Sequence, residues 1–274
     1  MPEKGEVEVV SDQLKKLIVG KTLINISYDK NSRYFKGGVP GVSCLEFPYQ
    51  CIDILTKGKK IIISLGKNDN QVFLLSFLGM TGRWLIKPSD HSNLWLEFES
   101  DFKLYFDDSR HFGTLTVYPD TKSLNAFLKR TTGPDLLNDD VKLEEWTKQI
   151  KNPRIKNKFI GVFLLDQKRF SGLGNYLRAE VLYACKINPF RKLCDLSDTE
   201  IEALLITSKE KIKASYAANG LTIKDYLAPD GSKGSFEQVI YGKLKDPLGN
   251  TVIKEKDSKT SNARTIHWVK EVQK

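Results

Sequence analysis

Apolar residues recur at three- and four-residue steps near the start of the chain, at Val7, Val10, Leu14, Leu17 and Ile18. This spacing predicts one apolar helix face, and Gly20 closes the helix. The pattern then changes to short β-branched and aromatic runs, at 22–28, 51–65, 71–80, 83–87, 94–100, 103–106 and 113–118. Turn residues such as Lys57-Gly58 separate these runs. Seven short strands joined by hairpin-type turns predict an antiparallel sandwich rather than a parallel sheet.

The pattern becomes helical after a turn-rich linker that contains Gly133-Pro134-Asp135. Helices are predicted over residues 143–150, 156–165, 175–186 and 197–218. Ser197 and Glu200 have the spacing of a capping box at the start of the last one. Two strand-like runs follow near the end of the chain, at 251–254 and 264–269.

The stretch from 163 to 193 reads as a helix end, a glycine-rich turn and a second helix. Gly172 and Gly174 supply backbone freedom, and Asn175 stands where an N-cap is expected. A helix N-terminus behind such a turn suits a phosphate, and the nearby cations are Lys168, Arg169 and Arg178. A helix–turn–helix whose basic side chains are simply exposed to solvent, with no binding role, explains this stretch equally well.

Composition limits the classes of protein that fit. The 274 residues are 40% hydrophobic and carry a net charge of +9, which suits a globular protein with a polyanionic partner but does not exclude plain surface solvation. No apolar run approaches the roughly 18 residues of a membrane span, and no secretory segment is recognisable. The cysteines, at 44, 51, 185 and 194, lack zinc-ligand spacing. We therefore expect reduced thiols in an intracellular protein of unspecified compartment, with neither disulfides nor a metal.

The chain start offers a nucleophile. A free α-amine has a pKa of about 7.7–8.0 against about 10.4 for lysine, so far more of it is neutral at pH 7. Removal of Met1 would expose Pro2 as a secondary amine, which can form an iminium with an aldehyde-like carbon, and Glu3 beside it can exchange protons. On their own, however, these residues are also an ordinary chain start.

Three further sites have an ordinary and a functional interpretation. Lys59 follows a glycine turn and could hold a phosphate, or be an exposed hairpin lysine. Met80 lies on a turn between two glycines, where it could also be a core gap-filler. Arg110 and Phe112 stand two apart on an extended segment that could be a plain edge strand. Together, the last three residues would make a wedge able to enter a base stack.

In order and at these separations, the motifs resemble those of the formamidopyrimidine-DNA glycosylase/endonuclease VIII family over nearly the whole chain. The matching segments are Pro2 to Val7, Gly58-Lys59, Leu78 to Gly82, Asp108 to Gly113, Gly133 to Asp135, Asp166 to Glu180, Tyr241 to Lys243, Asp246-Pro247 and Arg264. The resemblance implies an α+β protein. It would have an N-terminal antiparallel β-sandwich with flanking helices (1–125), a linker (126–140), a helical helix–two-turn–helix domain (141–236) and a zincless hairpin finger (237–274).

The resemblance also implies roles. Pro2 would be the nucleophile on the sugar C1′, Glu3 the proton shuttle, and Lys59 an assistant that holds a phosphate. The residues implied to bind DNA are Asn175, Arg264, Lys168 and Glu6, and those implied to fill the space of an extruded nucleotide are Met80, Arg110 and Phe112. No cofactor is expected. The expected partner is damaged DNA and not a membrane, and the protein is expected to be a monomer.

Two departures from the family pattern matter. Lys4-Gly5 replaces the usual Gly-Pro, so we expect a less constrained chain start. No cysteine follows Cys194, so the tail resembles the zincless finger of endonuclease VIII-like members. Its stability would have to come from the packing of Ile266, Trp268 and Val269 rather than from a metal.

Two functions remain open at this point. The first is a bifunctional glycosylase and abasic-site lyase that removes oxidised bases and nicks DNA by β,δ-elimination. The second is a binding module for damaged or single-stranded nucleic acid without chemistry. The segment 220–234 resembles the lesion-capping loop of family members that act on oxidised purines. The zincless tail instead resembles members that act on oxidised pyrimidines. We therefore expect oxidised pyrimidines and formamidopyrimidines as substrates, with 8-oxoguanine open.

Overall fold

A computed structural model describes residues 2–221, 234–257 and 263–274. The chain forms two compact units, one of residues 1–130 with 218–235 and the other of 131–217 with 236–274. The predicted boundaries follow chain order, whereas the first unit takes in a segment from beyond residue 217. None of the described helices is both long and apolar enough to cross a membrane.

The first unit begins with helix α1 (Lys4–Ile18) and contains one eight-stranded antiparallel sheet. The strands are β1 (Thr22–Tyr28), β2 (Tyr49–Lys57), β3 (Lys60–Lys67), β4 (Asn70–Phe77), β5 (Arg83–Leu85), β6 (Ser92–Phe98), β7 (Lys103–Asp107) and β8 (Thr114–Tyr118). Their order is β5-β7-β6-β1-β2-β3-β4-β8. The predicted run 51–65 is two strands, because Gly58 adopts a φ of 58° and turns the chain into a hairpin.

The sheet folds over so that both of its ends share one core. Trp84 of β5 is fully buried and donates its indole N–H to Ser76 of β4, at 3.2 Å, although these strands are far apart in sheet order. Apolar residues of α1 enter the same core, including Val10 and Leu14. Helix α2 (Thr121–Thr131), which lies partly in the predicted linker, covers a smaller cluster of β3 and β4 residues through Leu124. The predicted sandwich is therefore confirmed.

The second unit is helical and ends in a hairpin. Its helices are α3 (Leu143–Ile150), α4 (Ile160–Phe163), α5 (Asn175–Ala184) and α6 (Asp198–Ala217), and its strands are β9 (Ile253–Lys256) and β10 (Thr265–Trp268). Short 3-10 turns occupy Val42–Cys44 in the first unit, and Pro153–Ile155 and Leu193–Asp195 in the second. Strands β9 and β10 pair antiparallel, as the sequence predicts.

Two helix predictions need correction. The predicted helix 156–165 shortens to the four residues of α4, since the turn at Pro153–Ile155 precedes it and the backbone of Ile160 bonds the carbonyl of Arg191 instead. The N-cap of α5 is Gly174, and Asn175 is the first helical residue. The capping box of α6 is confirmed, because Ser197 and Glu200 each accept a hydrogen bond from the other's backbone N–H.

Candidate active site

The start of α1 is a buried, hydrogen-bonded structure. Pro2 is buried and Glu3, the N-cap residue, is 1% exposed. The fully buried carboxylate of Glu6 accepts the backbone N–H of Glu3 at 2.9 Å and, through its other oxygen, the backbone N–H of Leu221 at 2.9 Å. Gly220 makes this approach possible, because an added Cβ there would lie 2.6 Å from Glu6. This differs from the prediction that Glu6 binds DNA, since its carboxylate is directed at the protein's own backbone.

Lys4 fixes the chain start where the family has a Gly-Pro pair. Its side chain is fully buried, pairs with Glu8 at 2.6 Å and donates to the Thr56 hydroxyl, which in turn donates to Glu8. Although we expect a less constrained start from the sequence, the structure adds a contact of another kind, the ion pair between the buried Lys4 and the partly exposed Glu8. The i,i+4 spacing of Lys4 and Glu8 was a sequence signal for this pair.

Lys59 is part of the same region of the first unit. Its residue is only 8% exposed, which rejects the alternative of an exposed hairpin lysine. It lies on the turn between Lys57 and Lys60, which pair across the β2–β3 hairpin. The hydrogen bond that Lys4 donates to the Thr56 hydroxyl joins this hairpin to the start of α1. Burial, together with the charge of Lys59, lowers the pKa of Lys60. A cationic, partly dehydrated hairpin thus lies against the candidate nucleophile's helix.

The predicted wedge residues are also brought together within the first unit. Arg110 and Phe112 are exposed, and the guanidinium of Arg110 lies 4.8 Å from the centre of the Phe112 ring. Gly79, with a φ of 65°, packs so closely that a Cβ would lie 2.6 Å from the backbone of Phe112. The half-exposed Met80 therefore stands on a turn that touches the loop of the other two residues.

Asp108 organises this loop. Its carboxylate is buried and accepts hydrogen bonds from the backbone of Gly113 at 2.6 Å and of Arg110 at 3.3 Å, and from the hydroxyl of Thr81. The sequence does not identify Arg33 as part of this site. Its side chain stabilises the loop by donating hydrogen bonds to the carbonyls of residues 111 and 113. Nothing in the sequence near Arg33 points to this role, because its partners lie 78 and 80 residues away.

In the second unit, one side chain shapes the turns before α5. Gln167 donates to the carbonyls of Leu165 and Leu173 and accepts the backbone N–H of Gly172 at 3.2 Å. The backbone of Gly133 packs on this turn and bonds the carbonyl of Gln167 at 2.8 Å. These contacts explain the Gly-Pro-Asp and Gly-x-Gly-Asn motifs as parts of one local structure.

Asn175, which is predicted to bind a phosphate, makes two hydrogen bonds inside the second unit. Its amide nitrogen donates to the carbonyl of Thr265 at 2.8 Å, and its amide oxygen accepts from Arg178. Arg178 is fully buried and pairs with Asp257 at 2.6 Å. Asp257 in turn accepts the backbone N–H of Arg264 at 2.8 Å. The first turn of α5 is therefore connected to the loop end of the β9–β10 hairpin, where Asp257 follows β9 and Arg264 precedes β10.

The remaining predicted residues are placed as follows. Arg264 and Lys168 are exposed, as phosphate-binding side chains need to be. The predicted lesion-capping loop falls largely on residues 222–233, which lie outside the described residues, as does Met1. Just outside that segment, Ser235 bonds the carbonyl of Ala218 at 2.8 Å, and Gly234 packs against Gly220. The described ends of the segment therefore lie on Glu6, next to the candidate catalytic residues.

The C-terminal hairpin does not fit a zinc ion. The four cysteines are at 44, 51, 185 and 194, so none is in the tail. Across residues 2–221, 234–257 and 263–274, no three metal-ligating side chains form a cluster. His267 of β10 is buried against Tyr241, with 4.5 Å between ring centres, and burial and the charges of Lys254 and Arg178 lower its pKa.

Comparison with known proteins defines the class first. Family models of the formamidopyrimidine-DNA glycosylase N-terminal domain, H2TH domain and C-terminal domain match residues 1–115, 132–226 and 230–274. The chain belongs to the formamidopyrimidine-DNA glycosylase family.

Individual relatives agree over most of their length. The formamidopyrimidine-DNA glycosylase of Wolbachia pipientis is 31% identical over 258 residues, which are 90% of each chain. That of Oceanobacillus iheyensis is 29% identical over 88% of this chain and 86% of its own.

Solved structures match as well. The Thermus thermophilus MutM (Fpg) structure superposes with a TM-score of 0.86 at 26% identity, covering 99% of this chain and 98% of its own. The Lactococcus lactis Fpg in complex with DNA that contains an abasic site has a TM-score of 0.86 at 28% identity, with 100% of both chains covered.

Proposed function

We propose that this protein is a bifunctional DNA glycosylase and abasic-site lyase of base excision repair, with Pro2 as its nucleophile. The observation that carries the proposal is the start of α1. Pro2 and Glu3 are held in place by Glu6 and Lys4, beside the hairpin of the buried Lys59. A chain start with no function has no physical need for two buried carboxylates and a buried ammonium, each of which costs free energy to dehydrate.

The chemistry follows from a secondary amine next to a carboxyl group. The neutral Pro2 nitrogen attacks C1′ of the damaged nucleotide, the bond to the base breaks, and the base leaves with a proton. The nitrogen then loses its own proton, and its electron pair opens the sugar ring as O4′ is protonated. This gives an iminium. Glu3, the next residue, supplies and removes these protons.

Strand cleavage uses the same iminium as an electron sink. Loss of a C2′ proton expels the 3′ phosphate, which is β-elimination. Loss of a C4′ proton then expels the 5′ phosphate, which is δ-elimination. Lys59 is suited to hold a phosphate during these steps, since it is a cation on a residue that is only 8% exposed, and a charge pair is stronger where water is partly excluded.

Phosphate contacts by Asn175, Arg264 and Lys168 would hold the strand, and Met80, Arg110 and Phe112 would occupy the space that the extruded nucleotide leaves. Extrusion costs a few kcal/mol and costs least for a damaged base. A mutant of Lactococcus lactis Fpg, with which this chain shares 28% identity, has been crystallised with Fapy-dG-containing DNA. We propose formamidopyrimidines and oxidised pyrimidines as the substrates, and 8-oxoguanine is to be tested beside them.

The test is borohydride trapping on a panel of lesions. Protein with a mass-verified free Pro2 is incubated with 5-hydroxyuracil, Fapy-dG, 8-oxoguanine and abasic sites in single- and double-stranded DNA. Sodium borohydride should reduce the iminium to a stable amine, so that a covalent protein–DNA adduct forms through residue 2. Without borohydride, the nicked products should carry phosphate at both ends.

Two controls separate catalysis from binding. An N-terminal tag converts the amine to an amide and should abolish the adduct while abasic-site binding persists. Glu3→Gln should abolish release of the damaged base. Binding without any adduct from the free Pro2 protein would reject the enzyme and leave the damaged-DNA binding module.

A further inference from the structure

The C-terminal hairpin is connected to α5 by a largely buried network of hydrogen bonds and one ion pair. Arg178 is 0% exposed, in a chain whose other charged residues are mostly at the surface. Its guanidinium donates to Asp257 at 2.6 Å, to the carbonyl of Gly161 at 2.9 Å and to Asn175. An arginine buried to this extent needs several fixed acceptors, and the structure supplies them from three separate segments.

Asp257 connects the buried guanidinium of Arg178 to the backbone of Arg264. Its Oδ2 atom receives Arg178, whereas its Oδ1 atom accepts the backbone N–H of Arg264 at 2.8 Å. The backbone N–H of Asp257 donates to the carbonyl of Arg264 at 2.9 Å. Arg264 is therefore held on both backbone groups by one residue, and that residue is itself held by a buried cation.

A second branch joins the hairpin through Asn175. Its amide oxygen accepts from Arg178, and its amide nitrogen donates to the carbonyl of Thr265, the residue after Arg264. The two branches close a ring through α5 and β10, so the position of Arg264 depends on Arg178 along two routes. A structural zinc would fix such a hairpin mainly through cysteine ligands, and no cysteine follows Cys194 in the sequence.

We propose that Arg178 and Asp257 are positioning residues that take the place of the finger's metal and aim Arg264 at a DNA phosphate. Arg178 touches no reacting atom, and its effect on DNA passes through Asp257 and the backbone of Arg264. The proposal rests on the proposed function only as far as DNA binding, because neither the nucleophile nor the lyase steps enter it.

The test measures binding rather than catalysis. The probe is a duplex that contains a tetrahydrofuran abasic analogue, which cannot form an iminium. Arg264→Ala should weaken binding roughly tenfold and reduce the slope of log K against log salt by about one, as expected for one lost phosphate contact. Asp257→Asn keeps the shape of the side chain but removes its charge, and it should reproduce most of both effects.

Double variants show whether the effects of these substitutions on DNA binding are coupled, as the proposal requires. In the Arg264→Ala background, Asp257→Asn should weaken binding by less than about twofold, since the contact that it positions is already lost. Arg178→Lys, which keeps the charge but loses the planar fork, should behave in the same way. Independent, multiplicative losses in the double variants would overturn the proposal.

A matched control and a second measurement cover effects on folding. Arg191 and Glu200 form an ion pair at 2.5 Å in the same unit, and Glu200→Gln should leave binding and its salt slope unchanged. Hydrogen exchange at the amide of Arg264 should accelerate at least tenfold in Asp257→Asn without DNA, and unchanged exchange would reject the proposal. EDTA should not alter wild-type binding. Failure of wild-type borohydride trapping would overturn the proposed function but not this coupling.

Discussion

At the scale of single residues, both units contain buried charged side chains beside the candidate functional residues. Lys4, Glu6, Asp108 and Arg178 are each at most 1% exposed, and each of them fixes backbone or side-chain groups next to a candidate functional residue. A buried charge is retained at a cost in dehydration, and breaking its pair is costlier still. Their positions indicate that these buried charges hold the candidate functional residues in one geometry.

Lys4→Met should destabilise the first unit, because it removes the buried cation that pairs with Glu8 at 2.6 Å. We expect a loss of about 2 kcal/mol in the free energy of unfolding, and slower borohydride trapping. Adding Gly5→Pro should recover about 0.5 kcal/mol, because proline is accepted in the first turn of a helix and restricts the unfolded chain. Urea unfolding and trapping kinetics measure both effects.

Lys16→Met, at an exposed lysine of the same helix, is the control and should change neither quantity. Equal effects of Lys4→Met and Lys16→Met would show that the buried pair is not what holds the chain start.

Phe112→Ala should separate folding from recognition. The ring is 51% exposed, so its loss should change the free energy of unfolding by no more than about 0.5 kcal/mol. Binding to a duplex with an abasic analogue should weaken about tenfold, since a stacked aromatic ring contributes about 1–3 kcal/mol. Binding to the same lesion in single-stranded DNA, which has no opposite base to displace, should change much less.

Phe35→Ala removes a ring that is 57% exposed in the same unit but outside the candidate wedge. It should leave duplex binding unchanged. A similar loss in both variants would mean that Phe112 contributes only general surface contact.

At the scale of elements, the sequence predicts what depends on neighbours along the chain. The bounds of α3 and the capping box of α6 follow from local patterns and are found as predicted. The pairing of Arg178 with Asp257, 79 residues away, has no local signal. Neither does the contact from Leu221 to Glu6, 215 residues away, because it depends on how the chain returns. Local chemistry therefore located the candidate residues, and only the fold shows what holds them.

The hairpin should lose stability in mild acid because of His267. Its pKa is lowered by burial and by the charges of Lys254 and Arg178, so the folded state prefers the neutral ring. As the pH falls below about 6.5, the unfolded chain takes up the proton first, and the free energy of unfolding decreases. His267→Gln should therefore cost stability at pH 7.5 but less at pH 5.5, as measured by urea unfolding.

His91→Gln alters an exposed histidine and should show the same small effect at both pH values. A pH-independent effect of His267→Gln would contradict the lowered pKa, and an NMR titration of the ring would give the pKa directly.

At the scale of the whole molecule, the net charge of +9 suits a polyanionic partner such as DNA. Neutralising phosphates releases counterions, so affinity for duplex DNA should fall linearly with log salt. With about six phosphate contacts, the loss between 50 and 200 mM salt is on the order of a thousandfold. Fluorescence anisotropy across this range measures it, and a flat response would argue against a phosphate-holding surface.

The path of the chain through the two units limits where the protein can be cut into fragments. The segment 218–235 belongs to the first unit although it follows α6, so the polypeptide leaves that unit, revisits it and departs again. A fragment cut after residue 130 would lack the amide of Leu221 and expose the carboxylate that it caps. Chimaeras made by joining relatives at such a cut would lose a hydrogen-bond partner of Glu6 at the start of α1, whereas grafts that include residues 218–235 would keep it.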